Sequence, residues 1–137
     1  MRSELDDDGG ARPGRLIAVV GTGTDIGKTW VATRLLERLR RDGLTVAARK
    51  PAQSFEPSDD PSRYDASLLG AASGEAPESV CPRHRWYGAA LAPPMAAEAL
   101  GRPSFTVSEL VDELRWPQEV PVDVGLVETA GGLRSPL

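Results

Sequence analysis

Residues Val19 to Thr29 read VVGTGTDIGKT, with three glycines, three threonines and one lysine in eleven positions after an apolar run. Upstream, Arg15 to Val20 (RLIAVV) is short, apolar and ended by glycine, the pattern of a buried strand. Downstream, Val31, Leu35, Leu36 and Leu39 recur at helical spacing, Glu37 and Arg41 form an i,i+4 pair, and Asp42-Gly43 supplies a stop. The stretch is therefore a glycine-rich turn between a strand and a helix that runs from Lys28 to about Arg41. Such a turn aims the free backbone N–H groups of a helix start at a phosphate. A lysine there reaches the outer phosphates, and the hydroxyl after it ligates Mg²⁺. The strict pattern has four residues between its glycines, whereas Gly21 to Gly27 leaves five and Gly23 to Gly27 leaves three. A tight turn with a solvated lysine is the competing reading, and the strand and helix flanks decide for phosphate.

Working outward, Leu44 to Ala48 (LTVAA) reads as a second strand, ended by Pro51, since proline cannot continue a central ladder. Strand, helix and strand make a βαβ unit with a right-handed crossover and a parallel sheet. The fold class is α/β, P-loop NTPase-like, with a mainly parallel sheet flanked by helices. Ser54 to Ser62 reads as loop, and Arg63 to Ala72 as a short helix broken by Gly70. No element is predicted between Ser73 and Pro94. Met95 to Leu100 reads as helix, Thr106 to Leu114 as a helix opened by a capping box, and Pro121 to Val127 as a buried strand.

Composition sets the limits. A chain of 137 residues, 40% hydrophobic, buries one ordinary core, so one domain is expected from residue 15 onward. Residues 1–14 carry Glu4 and Asp6 to Asp8, then Gly9, Gly10, Pro13 and Gly14, and read as a disordered leader. That leader has no apolar run of signal-peptide or membrane-span length, so the expectation is a soluble cytoplasmic protein with no membrane partner. A net charge of −4 argues against nonspecific nucleic-acid binding, which depends on clustered positive charge. Cys81 is the single cysteine, with only His84 near it; it forms no intramolecular disulfide or zinc site and reads as a small loop residue. His84, Trp86 and Tyr87 form a polar-aromatic group, read as packing. Fourteen arginines contrast with two lysines, Lys28 and Lys50, and both lysines stand beside unusual residues.

GTGTDIGKT, Gly21 to Thr29, resembles the loop of dethiobiotin synthetases, whose usual form is G-T-D-T-x-V-G-K-T with the same five-residue gap. Gly23 departs from it, and Ile26 replaces valine conservatively. Further landmarks follow in order: KPAQSF (Lys50 to Phe55) against K-P-V-x-[ST]-G, Asp65 within RYDASLLG, APPMAAEALGRP (Ala92 to Pro103) against an S-P-x-x-A-A stretch and turn, and VETAGG (Val127 to Gly132) against V-E-G-A-G-G. Phe55 and Thr129 stand where that family has glycine.

The resemblance implies an ATP- and Mg²⁺-dependent ligase of biotin biosynthesis. Carbon dioxide carboxylates one amine of 7,8-diaminopelargonate, ATP phosphorylates the carbamate, and the second amine closes the ureido ring of dethiobiotin as phosphate leaves. It implies that Lys28 holds the β- and γ-phosphates and that Lys50 bridges carbamate and γ-phosphate, both as catalytic groups. Without the resemblance, a snorkelling strand-end residue is an equal reading of Lys50. Thr24, Asp25, Ile26 and Gly27, with Lys28 and Thr29, would bind nucleotide; Ser54, Gly131 and Gly132 would meet the organic substrate; Thr29, Asp65 and Glu128 would ligate Mg²⁺. Glu128 has support of its own, as an acid directly after a buried strand and before Ala130-Gly131-Gly132. Asp65 alone reads equally as an exposed helical acid. The resemblance also implies a homodimer.

The alternatives are a partition- or cobyrinate-amidase-type P-loop ATPase, or an inactive fragment. The match runs only a little past the middle of the family's domain, so an incomplete domain with an exposed apolar sheet edge is expected.

Overall fold

The computed structural model describes residues 11–131. Its centre is a three-stranded parallel sheet in the order β1 (Arg15–Val19), β5 (Val124–Glu128), β2 (Val46–Arg49). The register pairs Val19 with Glu128 and Arg49 with Val127. Parallel pairing puts all three carboxyl ends on one edge, where open α/β sheets hold ligands. β1 leads into the glycine-rich turn, β2 into Lys50, and β5 ends on Glu128.

Helix α1 (Lys28–Arg41) crosses one face and buries Ala32 and Leu36 against Ala48 and Leu126. Helix α2 (Asp65–Ser73) joins the same core through Ala66 and Leu69. Its connection to α3 (Pro77–Val80) is tight, because a Cβ on Gly70 would stand 2.6 Å from the Glu75 carbonyl oxygen. Gly70 does not break the helix as expected. It permits this close approach, and the left-handed stop falls at Gly74, φ 82°.

The second strand starts later than LTVAA suggests, at Val46. Thr45 is held just before it, its N–H donating to the Asp123 carboxylate at 2.7 Å. Beyond β2, Glu75 accepts from the Ala48 N–H at 2.8 Å and pairs with Arg49 at 2.7 Å, satisfying an edge with no further strand among the described residues.

The stretch from Ser73 to Pro94, read without an element, contains α3, a 3-10 turn at Arg83–Arg85 and strand β4 (Trp86–Tyr87). β4 pairs in parallel with β3 (Gln53–Ser54), which ends on the first residue of the expected loop. Two-residue strands are too short to show a period. Helix α4 (Pro93–Ala99) begins two residues before Met95 and builds a second core with Ala52, Tyr87 and Leu110. Helix α5 (Val107–Asp112) opens with the expected capping box between Thr106 and Glu109.

At the other edge, β1 pairs only with β5 among the described residues, and Leu16 is 63% exposed. Residues 1–10 of the expected leader lie outside the described residues. Within its remainder, the Gly14 N–H donates to Val122 O at 2.8 Å. Among the described residues, no helix is long and apolar enough to cross a membrane.

Candidate functional site

The turn after β1 has its shape because of its glycines. A Cβ at Gly21 would lie 2.4 Å from Ile26 Cδ1 and 3.0 Å from Lys28 Cδ, so a larger residue there would push both side chains out of their places over the loop. Gly27 caps α1 in the left-handed region at φ 98° and offers no side-chain acceptor, leaving the first-turn amides without a side-chain cap. Asp25 is left-handed as well, φ 53°. The first turn of α1 itself carries no acid, so the helix adds no negative charge of its own at its positive end.

Lys28 folds back over this hollow. Its Nζ donates to Gly23 O at 2.8 Å and to Gly131 O at 2.5 Å, linking the loop to the segment after β5. The ammonium is thus held across the glycine-lined turn by carbonyls alone.

A cleft of about 880 Å³ opens in front of it. Thr24, Asp25, Gly27, Lys28 and Thr29 line one side, Lys50, Asp65 and Glu128 the floor, and Ser54, Phe55 and Leu91 the other side. Ile26 is not part of the wall: its side chain lies over Gly21. Ser54 Oγ donates to Leu91 O at 2.5 Å, fixing that wall. Gly131 lines the cleft, whereas Gly132 lies outside the described residues.

On the floor, Thr29 Oγ1 is 3.0 Å from Asp65 Oδ1 and 2.8 Å from Glu128 Oε1. A hydroxyl has one proton and can donate to only one of them. Lys50 Nζ donates to Asp65 Oδ2 at 2.8 Å and to Glu128 Oε1 at 2.9 Å. Both Lys50 and Glu128 are buried, and Glu128 Oε2 has no hydrogen-bond partner among the described residues. Burial works to lower the Lys50 pKa, but the charges and hydrogen bonds of Asp65 and Glu128 outweigh it, and the ammonium is held above its ordinary value.

Two carboxylates against one ammonium leave the floor with a net negative charge. An orphaned buried carboxylate oxygen beside an oversubscribed hydroxyl is the donor set of a hard cation. Among the described residues no three acids, histidines or cysteines cluster, and the floor offers two carboxylates and one hydroxyl. That number fits Mg²⁺, which keeps water and phosphate oxygens in its remaining positions. The chemistry of the residues therefore fits the implied metal.

The sequence reading missed Gln53, which is buried and accepts the Ala66 N–H at 2.9 Å, and the stacking of Phe55 on Tyr64 with ring centroids 4.0 Å apart. The Q and F of KPAQSF were visible, but their partners, thirteen residues from Gln53 and nine from Phe55, were not. Cys81 is buried and its thiol is pushed up to about 12 by that burial, so it is no nucleophile at neutral pH. Trp86 and Tyr87 pack, as read; His84 Nε2 lies 3.1 Å from Glu113.

A parallel sheet, a glycine-rich turn running into a helix, and acids at the ends of neighbouring elements define a P-loop NTPase-like α/β architecture. The sequence relations are more specific. The chain is 43% identical over 122 residues to the ATP-dependent dethiobiotin synthetase BioD of Caulobacter vibrioides, covering 87% of this chain and 54% of that protein. It is 41% identical to the namesake from Methylobacterium nodulans, covering 87% of this chain and 56% of the relative. It is also 41% identical to that of Anaeromyxobacter dehalogenans, covering 90% and 53%. The resemblance read from the motifs is thus a sequence relation to dethiobiotin synthetases along most of the chain. The chain spans about half the length of the curated relatives it matches. No protein-family model matches it.

Proposed function

We propose that this chain is the phosphate- and metal-binding part of an ATP-dependent ligase that makes dethiobiotin from 7,8-diaminopelargonate and carbon dioxide. The observation that carries the reading is the convergence of Lys28, Thr29, Lys50, Asp65 and Glu128 on one cleft at the carboxyl edge of the sheet, in a chain 43% identical to a protein of that name.

In this reading Lys28 exchanges its carbonyl partners for the β- and γ-phosphates, beside the amides of Thr24 to Thr29. Thr29, Asp65 and Glu128 would hold Mg²⁺, which when bound neutralises phosphate charge. Lys50 stays protonated, held so by its two acids, and presents positive charge where the carbamate and the γ-phosphate meet. Ser54, Gly131 and Gly132 orient the diamine. The second amine then attacks the carbonyl carbon of the phosphorylated carbamate; the C–N bond forms, the C–O bond to phosphate breaks, and inorganic phosphate leaves. The protein's contribution is alignment of anions and a fixed positive field.

A cytoplasmic homodimer that binds neither nucleic acid nor membrane is part of the same proposal. The acidic net charge supports the nucleic-acid side of it.

The test is ATP hydrolysis or ligation followed as phosphate release. Release stimulated by 7,8-diaminopelargonate together with bicarbonate supports the proposal. Release indifferent to the diamine contradicts it.

A further inference from the structure

Asp65 is the first residue of α2, and its place decides whether the floor of the cleft is assembled. The residue before it, Tyr64, occupies the cap position and gives no side-chain hydrogen bond to the helix. A helix start without a cap leaves its first amides unsatisfied, and it frays.

The missing acceptor comes from another element. Gln53, at the start of β3, reaches across the core, and its Oε1 accepts the Ala66 N–H at 2.9 Å in a buried setting. Gln53 is only 2% exposed, and its Nε2 has no hydrogen-bond partner among the described residues. An unpartnered buried amide N–H is costly, and an apolar side chain of equal size would avoid the cost. The carbonyl half is what the position uses. Two residues on, the Phe55 ring stacks on Tyr64 at 4.0 Å and 18°, and Trp86 meets both rings edge-on. The strand Gln53–Ser54 and the residue after it thus grip the start of α2 by a polar contact and an aromatic one, on either side of Asp65.

We propose that Gln53 is a positioning residue for the metal-ligating set: its amide carbonyl pins the first turn of α2, so that Asp65 meets Thr29 and Lys50. The proposal rests on the functional reading above only in taking Asp65 as a metal ligand. Partners that orient a ligand from behind typically set metal affinity by about 10- to 100-fold.

The test compares the full chain with Gln53→Met, which keeps the volume and removes the acceptor, and Gln53→Glu, which restores an acceptor at a helix start that favours negative charge. Two readouts are taken: amide hydrogen exchange at Ala66 and Leu69, and ATP binding by calorimetry in EDTA and across a Mg²⁺ series. In Gln53→Met the Ala66 amide exchanges faster while Leu69 keeps its protection. The Mg²⁺ needed for half-maximal enhancement of ATP binding rises about tenfold. ATP affinity in EDTA is unchanged, and Gln53→Glu recovers both properties. Unchanged Ala66 exchange overturns the proposal, as does an equal loss of ATP affinity with and without Mg²⁺. Should the unaltered chain bind no ATP, the functional reading falls, and the latch is judged on Ala66 exchange alone.

Discussion

Lys50 and Glu128 are the two most deeply set charges of the cleft, 3% and 1% exposed, and each exists there because of the other. Removing the ammonium in Lys50→Met leaves the Glu128 carboxylate buried without its cation, a change expected to destabilise the chain by about 3 kcal/mol. Urea unfolding measures it, and the double variant Lys50→Met/Glu128→Gln should recover much of the loss. At this scale the sequence was unevenly legible. Lys28 and Thr29 could be read from the loop because phosphate-binding turns are local, with strand, glycine and lysine adjacent in the chain. Glu128 was visible as an acid between a buried strand and glycines. Asp65 came only from resemblance, since an aspartate at a helix start is ordinary. Gln53 carried no signal at all, because its partner Ala66 lies thirteen positions away and a glutamine acting as a distant cap leaves no local pattern.

Between elements, α5 is tied to the turn before β4 by one charged clamp. Arg85 donates to both oxygens of Glu113, at 2.8 and 2.6 Å, with His84 3.1 Å from the same carboxylate. The Arg85 hydrogen bonds, more than any other cause, bring the Glu113 carboxyl down from its ordinary 4.5 to about 2. A carboxylate with a depressed native pKa contributes stability above its unfolded value and loses it as pH falls through the native one. The clamp is thus fully effective above about pH 4.5 and fades toward pH 2. Glu113→Gln should flatten the fall in unfolding free energy across that window relative to the unaltered chain, as measured by urea titrations at stepped pH. Elements with many residues were legible: α1 is found as predicted, and the capping box of α5 is present. β3 and β4 were not, because they hold together through one another and through aromatic stacking, neither of which has a sequence period. Gly70 misled for a related reason, as its use lies in contact with Glu75 rather than in its own backbone.

Taken whole, the molecule gathers three strand ends from distant parts of the chain onto one edge, and β5 does the gathering by lying between β1 and β2. The parallel sheet could be read from the strand–helix–strand pattern, but the central place of β5 could not, since strand order depends on tertiary packing. What the account depends on is that the Lys28 ammonium and the amides of its turn accept a nucleotide's phosphates. Calorimetric titration of the chain with ATP and Mg²⁺, beside Lys28→Met, tests this directly. Saturable binding that weakens by about 10- to 100-fold in Lys28→Met, the value of a charged hydrogen bond, is predicted. No binding by the unaltered chain, or equal affinity in the two proteins, would contradict it.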